Sequence, residues 1–323
     1  INSTSITVDD SSVFLPGDMV LIWETTGIQT PTSGDPTATD LSSSTAGTYE
    51  FGRVKATPDA TTVTLTNPTI SAYAGVAQLV RIPEYTTLDI TAGGIAAAPW
   101  DGAKGGIAVV FANGAVTNTG SFDTSFFGFR GGVLLNDDAV YGCANLDGPV
   151  TDGVAIPPGG GATFNALAGG AKKGEGLFPA GYNTDITNPT SATNLVTYGR
   201  GNLSSGAGGG DCHNSGGGGG GHGGAGGQGG GTWVDETDAT GLINTGDRMV
   251  GGLGGTSVSY SPTTHLVFGG GAGAGEENNT VSTPGGSGGG VLLIRAASIA
   301  GAGSFISDGA SGGAAGNDGA GGG

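Results

Sequence analysis

Positive charge is scarce in this chain. Of 323 residues only 10 are Lys or Arg, against 27 Asp or Glu, for a formal net charge of −17. Such a surface lacks the basic stripe that a phosphate backbone requires, so nucleic acid is excluded as a partner. Long apolar runs are missing as well. No stretch approaches the roughly 18 consecutive apolar residues of a spanning helix, so no membrane insertion is expected. Helical periodicity is absent from residues 1–90, which leaves strands and turns. There are only three histidines, His213, His222 and His265, and no Gly-x-Ser-x-Gly elbow, His-Glu-x-x-His pair or P-loop. The acids Asp101, Asp123, Glu175 and Asp235-Glu236 show no spacing that selects two of them for glycoside hydrolysis. A non-enzymatic protein without a cofactor is the expectation.

Cysteine is almost absent too, with Cys143 and Cys212 alone. In an oxidising compartment they are expected to pair, closing a loop of about 70 residues worth roughly 4 kcal/mol in the chain-entropy treatment. Two separate buried thiols are the alternative. Metal binding by Asp211, Cys212, His213 and His222 matches no zinc spacing. Low lysine content and abundant Thr, Ser, Asn and Gly suit a secreted, extracellular or cell-surface protein. The chain opens on Ile1 rather than methionine, which reads as signal-peptide removal.

Glycine, by contrast, is plentiful. It supplies 72 residues, 8 of them within 1–100 and 64 within 101–323, and that shift divides the chain into expected domains 1–90 and 91–323. From Gly220 to Gly230 every third residue alone carries a side chain: His222, Ala225 and Gln228. Glycine returns at the same interval at Gly313, Gly316, Gly319 and Gly322. A period of three matches the polyproline II helix and neither the α-helix nor the strand. Such a helix makes no internal hydrogen bonds, so a buried one gives its N–H and C=O groups to neighbours. The competing reading is a flexible glycine linker. Apolar segments between the runs favour an ordered lattice.

Residues 1–90 read as short strands, including a central strand over Met19-Val20-Leu21-Ile22-Trp23, and predict a β-sandwich or barrel. Beyond them lies a repeat. The segment Gly105 to Ala112, followed by Gly120-Ser121-Phe122, matches Gly289 to Ala296, followed by Gly303-Ser304-Phe305, with the second copy one residue shorter. The copies are expected to be neighbouring rungs of a β-solenoid-like layer. Glycine-rich polyproline II helices would pack over that layer and meet Phe126, Phe127, Phe129, Phe164 and Phe268. The fold class is therefore all-β.

Phe14-Leu15-Pro16-Gly17-Asp18, Pro99-Trp100-Asp101-Gly102, Gly128-Phe129-Arg130-Gly131-Gly132 and Phe268 to Gly273 resemble segments of large glycine-rich bacterial surface and filament proteins. The Gly-Gly-X runs are also similar to those of T-even-like phage tail-fibre tip adhesins. That second resemblance implies a polyglycine II sandwich. It does not extend to residues 1–90, nor to aromatic-rich loops between the runs.

Several small sites remain as expectations. Asn136-Asp137-Asp138, Asp9-Asp10 and Asn317-Asp318-Gly319 are oxygen-rich turns that read as Ca²⁺ candidates or as solvated Asx turns. Sequons place N-glycosylation at Asn2, Asn202 and Asn278. The segment Ile1 to Val8, with Ile1, Ser3, Ser5, Ile6 and Val8 as its candidate residues, reads as a free strand that completes a neighbour's sheet. Two functions follow: a structural subunit that associates with copies of itself in a filament or surface layer, or an adhesin. The adhesin would bind surface glycans through loops 29–48, 133–157 and 233–265, with Trp23, Trp100 or Trp233 stacking on sugar.

Overall fold

The computed structural model describes residues 2–28, 33–134, 171–178, 197–210, 214–231, 251–276, 281–315 and 319–323. These contain strands and turns, no α-helix, and several sheets of which none closes. Strands β1 (Ser5–Thr7), β2 (Met19–Glu24), β3 (Thr39–Asp40), β4 (Tyr49–Asp59), β5 (Thr62–Leu65) and β6 (Ala77–Ile82) come first. All but β3 form one open antiparallel sheet in the order β1-β5-β4-β2-β6. At its entry Gly17 adopts a φ of +96°, and the Asp18 carboxylate accepts the Leu15 N–H at 2.8 Å. That turn launches β2 with alternation intact. Val20 and Ile22 join Phe14, Val54, Val63 and Leu65 on one face, while Leu21 and Trp23 point to the other. Within residues 2–90 no barrel forms. The layering expected inside this region runs instead between its sheet and the chain that follows.

That chain forms a second kind of sheet. β7 (Glu84–Tyr85), β8 (Leu88–Ile90) and β9 (Ile95–Ala96) make one segment. β10 (Ile107–Ala112), β11 (Ala115–Asn118) and β12 (Ser121–Asp123) make the next. After β13 (Val258–Ser259), which pairs with β3, come β14 (Val291–Arg295), β15 (Ser298–Ala300) and β16 (Ser304–Ile306). The three segments stack in parallel as sheets β14-β10-β7, β15-β11-β8 and β16-β12-β9. The two repeat copies are thus hydrogen-bonded neighbours, Ile107 opposite Val291 and Phe122 opposite Phe305. The missing residue falls at the turn after β10, where Asn113-Gly114 in one copy faces Ala297 in the other. A third rung, residues 84–96, was not evident from the repeat. It also means that the change of architecture falls at Pro83, ahead of residue 90.

Side chains explain why β10 is apolar throughout. Ala108 and Val110 enter a core with Ile90, Val116 and Phe122, between the parallel sheets. Ile107, Val109 and Phe111 face the other way, against Leu21, Trp23 and Ile82 of the first sheet. A strand covered on both faces has no use for polar alternation. Asn118 is buried at the corner between β11 and β12, where its amide donates to Ser304 O at 2.9 Å and its carbonyl accepts the Gly120 N–H at 3.0 Å. Asn118→Ala removes the donor to Ser304 O, while the Gly120 N–H keeps Ile90 O at 3.1 Å, so the change should cost about 1 kcal/mol in urea unfolding.

Aromatic residues join this layer to the glycine-rich chain. Phe268 meets Trp23 edge-on at 4.8 Å, Phe129 at 5.3 Å and Trp100 at 5.5 Å. The Trp23 indole donates to Leu266 O at 2.9 Å. Phe129 and Phe268 are buried as expected, whereas Phe126 points to solvent and Phe164 lies outside the described residues.

Candidate functional site

The glycine runs hold the most specific geometry in the molecule. Residues 216–221 donate six successive N–H groups to three neighbouring segments in rotation. Gly216 and Gly219 reach Gly230 and Gly227, Gly217 and Gly220 reach Ala320 and Gly323, and Gly218 and Gly221 reach Gly208 and Ser205, at 2.8–3.2 Å. Residues 269–276 repeat the pattern with eight donors. Positions 269, 272 and 275 go to Gly289, Gly286 and Thr283; 270, 273 and 276 go to Gly221, Gly218 and Ser215; 271 and 274 go to Glu175 and Lys172. The same segment accepts from Phe129 and Gly132, from Ala207 and Gly210, and from Gly319 and Gly322. Six segments therefore surround residues 269–276, and none of these bonds is local. The run 220–230 is not one rod, however. It reverses at His222, whose N–H donates to Gly224 O, so that 216–221 and 226–230 lie antiparallel.

Glycine is needed here for space. None of the glycines in 206–210, 216–221, 226–230, 269–275 and 285–290 has a positive φ. Instead, a Cβ on Gly217, Gly220, Gly270, Gly271 or Gly273 would sit 1.8–2.0 Å from a neighbouring carbonyl oxygen, far inside van der Waals contact distance. Only bare backbone allows segments to approach that closely. At the surface turn this restriction vanishes, and a Cβ on Gly223, Gly224, Gly227 or Gly230 would meet nothing within 4 Å.

Buried charges lie among these segments. The Glu175 side chain is fully buried. It accepts the Arg130 main-chain N–H at 2.7 Å and the Arg130 guanidinium at 2.5 Å. Burial pushes the Glu175 carboxyl above its ordinary range, and Arg130 pulls it back. The main chains of the same two residues are joined as well, Glu175 N to Arg130 O at 2.9 Å. The Lys172 ammonium lies over the Tyr198 ring at 3.8 Å, and that of Lys173 reaches Ser33 at 2.5 Å. Glu276 accepts the Asn214 N–H at 2.6 Å. These side chains tie neighbouring segments to one another. Sequence reading missed that role, because Glu175 had stood out only as one acid among many.

An open groove of about 450 Å³ runs along the lattice beside Gly220–His222, Gly269-Gly270, Ser287–Gly290 and Gly309–Ser311. Backbone and serine hydroxyls line it, and His222 is its one titratable side chain. His222 sits edge-on to Tyr260, Nε2 to the hydroxyl at 3.1 Å, and burial holds its pKa below the ordinary imidazole value. Among the described residues that line the groove, no side-chain carboxylate, thiol or second base joins His222. Among the described residues no cluster of His, Cys, Asp or Glu could hold a metal ion.

The expected sites fare unevenly. Asn136, Asp137, Asp138, Cys143, Cys212, Asn278 and Ile1 lie outside the described residues, as does Trp233. Asp10 accepts the Ser12 N–H at 2.8 Å in an Asx turn, and the Ser12 hydroxyl first, then this N–H, hold its carboxyl below the usual range. Asn2 is exposed, whereas Asn202 is 1% exposed and its amide donates to Asp35 O at 3.0 Å. Asn202 therefore cannot present its nitrogen to a glycan without unfolding its surroundings. Trp23 and Trp100 are core residues and form no sugar platform. The strand carrying Ser5 and Ile6 is not free either. It pairs antiparallel with β5 of its own chain, Ile6 opposite Val63, and Ser3 and Val8 flank it. No helix of the described residues is long and apolar enough to cross a membrane.

Comparison with known proteins finds no matching family model, no matching curated protein and no matching solved structure.

Proposed function

We propose that this chain is a non-enzymatic structural protein of the cell exterior, a self-associating subunit of a filament or surface layer. Its working material is a stack of polyglycine II helices packed against a β-solenoid-like layer. The observation that carries this reading is the rotation of donors along 216–221 and 269–276. Successive N–H groups that point to three different neighbours, and return to the first at every third residue, are what a threefold helix would give and support this reading. A packed array of such helices is held by backbone bonds in every lateral direction. That is the property a load-bearing or protective layer needs. The parallel sheets supply the apolar support that ordered glycine requires, since each ordered residue costs roughly 1–2 kcal/mol of conformational entropy.

Self-association is tested directly by negative-stain microscopy of the purified chain across a salt series. A charge of −17 makes copies repel, so filaments or sheets should appear more readily as salt screens that repulsion. Discrete monomers at every salt concentration, together with binding on a glycan array, would replace this reading with that of an adhesin.

A further inference from the structure

The parallel stack ends on two open edges. Strands β14, β15 and β16 lie at one end of their sheets and β7, β8 and β9 at the other, and among the described residues no strand covers either. Stacked β layers ordinarily need a polar capping rung, and exposed edges are ordinarily blunted with charge or proline. Here residues 298–306, Ser-Ile-Ala-Gly-Ala-Gly-Ser-Phe-Ile, contain neither. Ile299 is 52% exposed and Phe305 43%, although their inner neighbours Val116 and Phe122 are fully buried.

The columns across the stack show what would satisfy this edge. Reading from one end to the other, they run Glu84–Phe111–Arg295, Leu88–Val116–Ile299 and Ile95–Phe122–Phe305. The two ends match each other. An acid at one end answers a base at the other, and two aliphatic residues answer Ile299 and Phe305. Translating a second copy along the stack sets its Glu84, Leu88 and Ile95 over Arg295, Ile299 and Phe305 of the first. Glu84 already holds Arg53 at 2.6 Å on an exposed face, and its carboxylate retains acceptor sites for a second guanidinium.

We propose that copies of this chain dock head to tail through these edges, residues 291–306 of one on residues 84–96 of the next, in parallel register. The contact is heterologous, so each copy leaves an edge open and the assembly grows as a filament. This rests on the structural-subunit reading and names the surface it uses.

The register gives a sharp test. Adjacent strands lie about 4.8 Å apart, so within one chain positions 88 and 299 are separated by two steps, about 9.6 Å, too far for a disulfide. Between docked copies they become direct neighbours. The full chain carrying Leu88→Cys and Ile299→Cys together should therefore form a ladder of covalent multimers under mild oxidation, resolved on a non-reducing gel. Wild type and each single variant should give no ladder. Phe305→Lys should abolish filaments while leaving the circular dichroism of the monomer unchanged, with melting lowered only by the loss of its ring contact with Phe122 at 6.4 Å. Filaments that form normally with Phe305→Lys and show no ladder in the double variant would overturn the proposed contact and leave the structural reading standing. Covalent dimers of Ile299→Cys that persist with Cys143→Ser and Cys212→Ser in place would mean that like ends meet, which also overturns it. A wild-type chain that never associates would remove both.

Discussion

Gly273→Ala should cost more than about 3 kcal/mol of stability, beyond the ordinary range of core overpacking, and should leave little folded protein at 37 °C. A methyl group there collides with the carbonyl of Gly208 and its neighbours, all of it backbone. Backbone cannot rotate away as a side chain can. Residue 273 is hydrogen-bonded to Gly218 and Gly322 while the added Cβ presses on a third segment at Gly208, so these segments would have to part. Gly227→Ala makes the same chemical change with the opposite result. Its Cβ meets nothing, its φ is ordinary, and the unfolded chain loses freedom, so stability should rise by about 0.4–1 kcal/mol. Urea unfolding of the pair checks both signs. Equal effects at the two positions would show that glycine is there for flexibility and would undo the lattice.

Arg130→Ala should cost about 3 kcal/mol at neutral pH, because it strands the buried Glu175 carboxylate without its counter-charge. The pH dependence identifies the cause. Glu175 already ionises above its ordinary range, and losing Arg130 raises it further. A group with a raised folded pKa contributes fully below its unfolded value and loses that contribution as pH rises through the folded one. The deficit of the variant should therefore shrink as pH is lowered from 7 toward 5. A deficit constant with pH would assign the loss to packing of the Arg130 stem. Replacing both partners, by Arg130→Met with Glu175→Gln, should cost far less than either change alone.

Much of the architecture was legible from local pattern. Val20, Leu21, Ile22 and Trp23 announce a strand buried on both faces, and β2 indeed lies between β4 and β6. The repeat placed Ile107 beside Val291 even though more than half the chain separates them. The third rung escaped because residues 84–96 keep only the Gly93, Gly120, Gly303 column and replace the aromatic with Ile95. Asn202 misled for a different reason. A sequon is three letters long and carries no information about burial, and only the fold turns its amide toward Asp35.

Composition and spacing by themselves determined that the described residues are all-β, that the chain is acidic and that its glycine runs repeat every three residues. Each follows from a property of one residue and its near neighbours: charge, side-chain periodicity, or the absence of a Cβ. Tertiary structure decided the rest. It bent the run at His222, set six segments around residues 269–276, paired the N-terminal strand at home and left two matching edges uncovered. Those outcomes depend on bonds between residues far apart in the chain. A glycine carries the same unmarked N–H and C=O whichever neighbour it will meet.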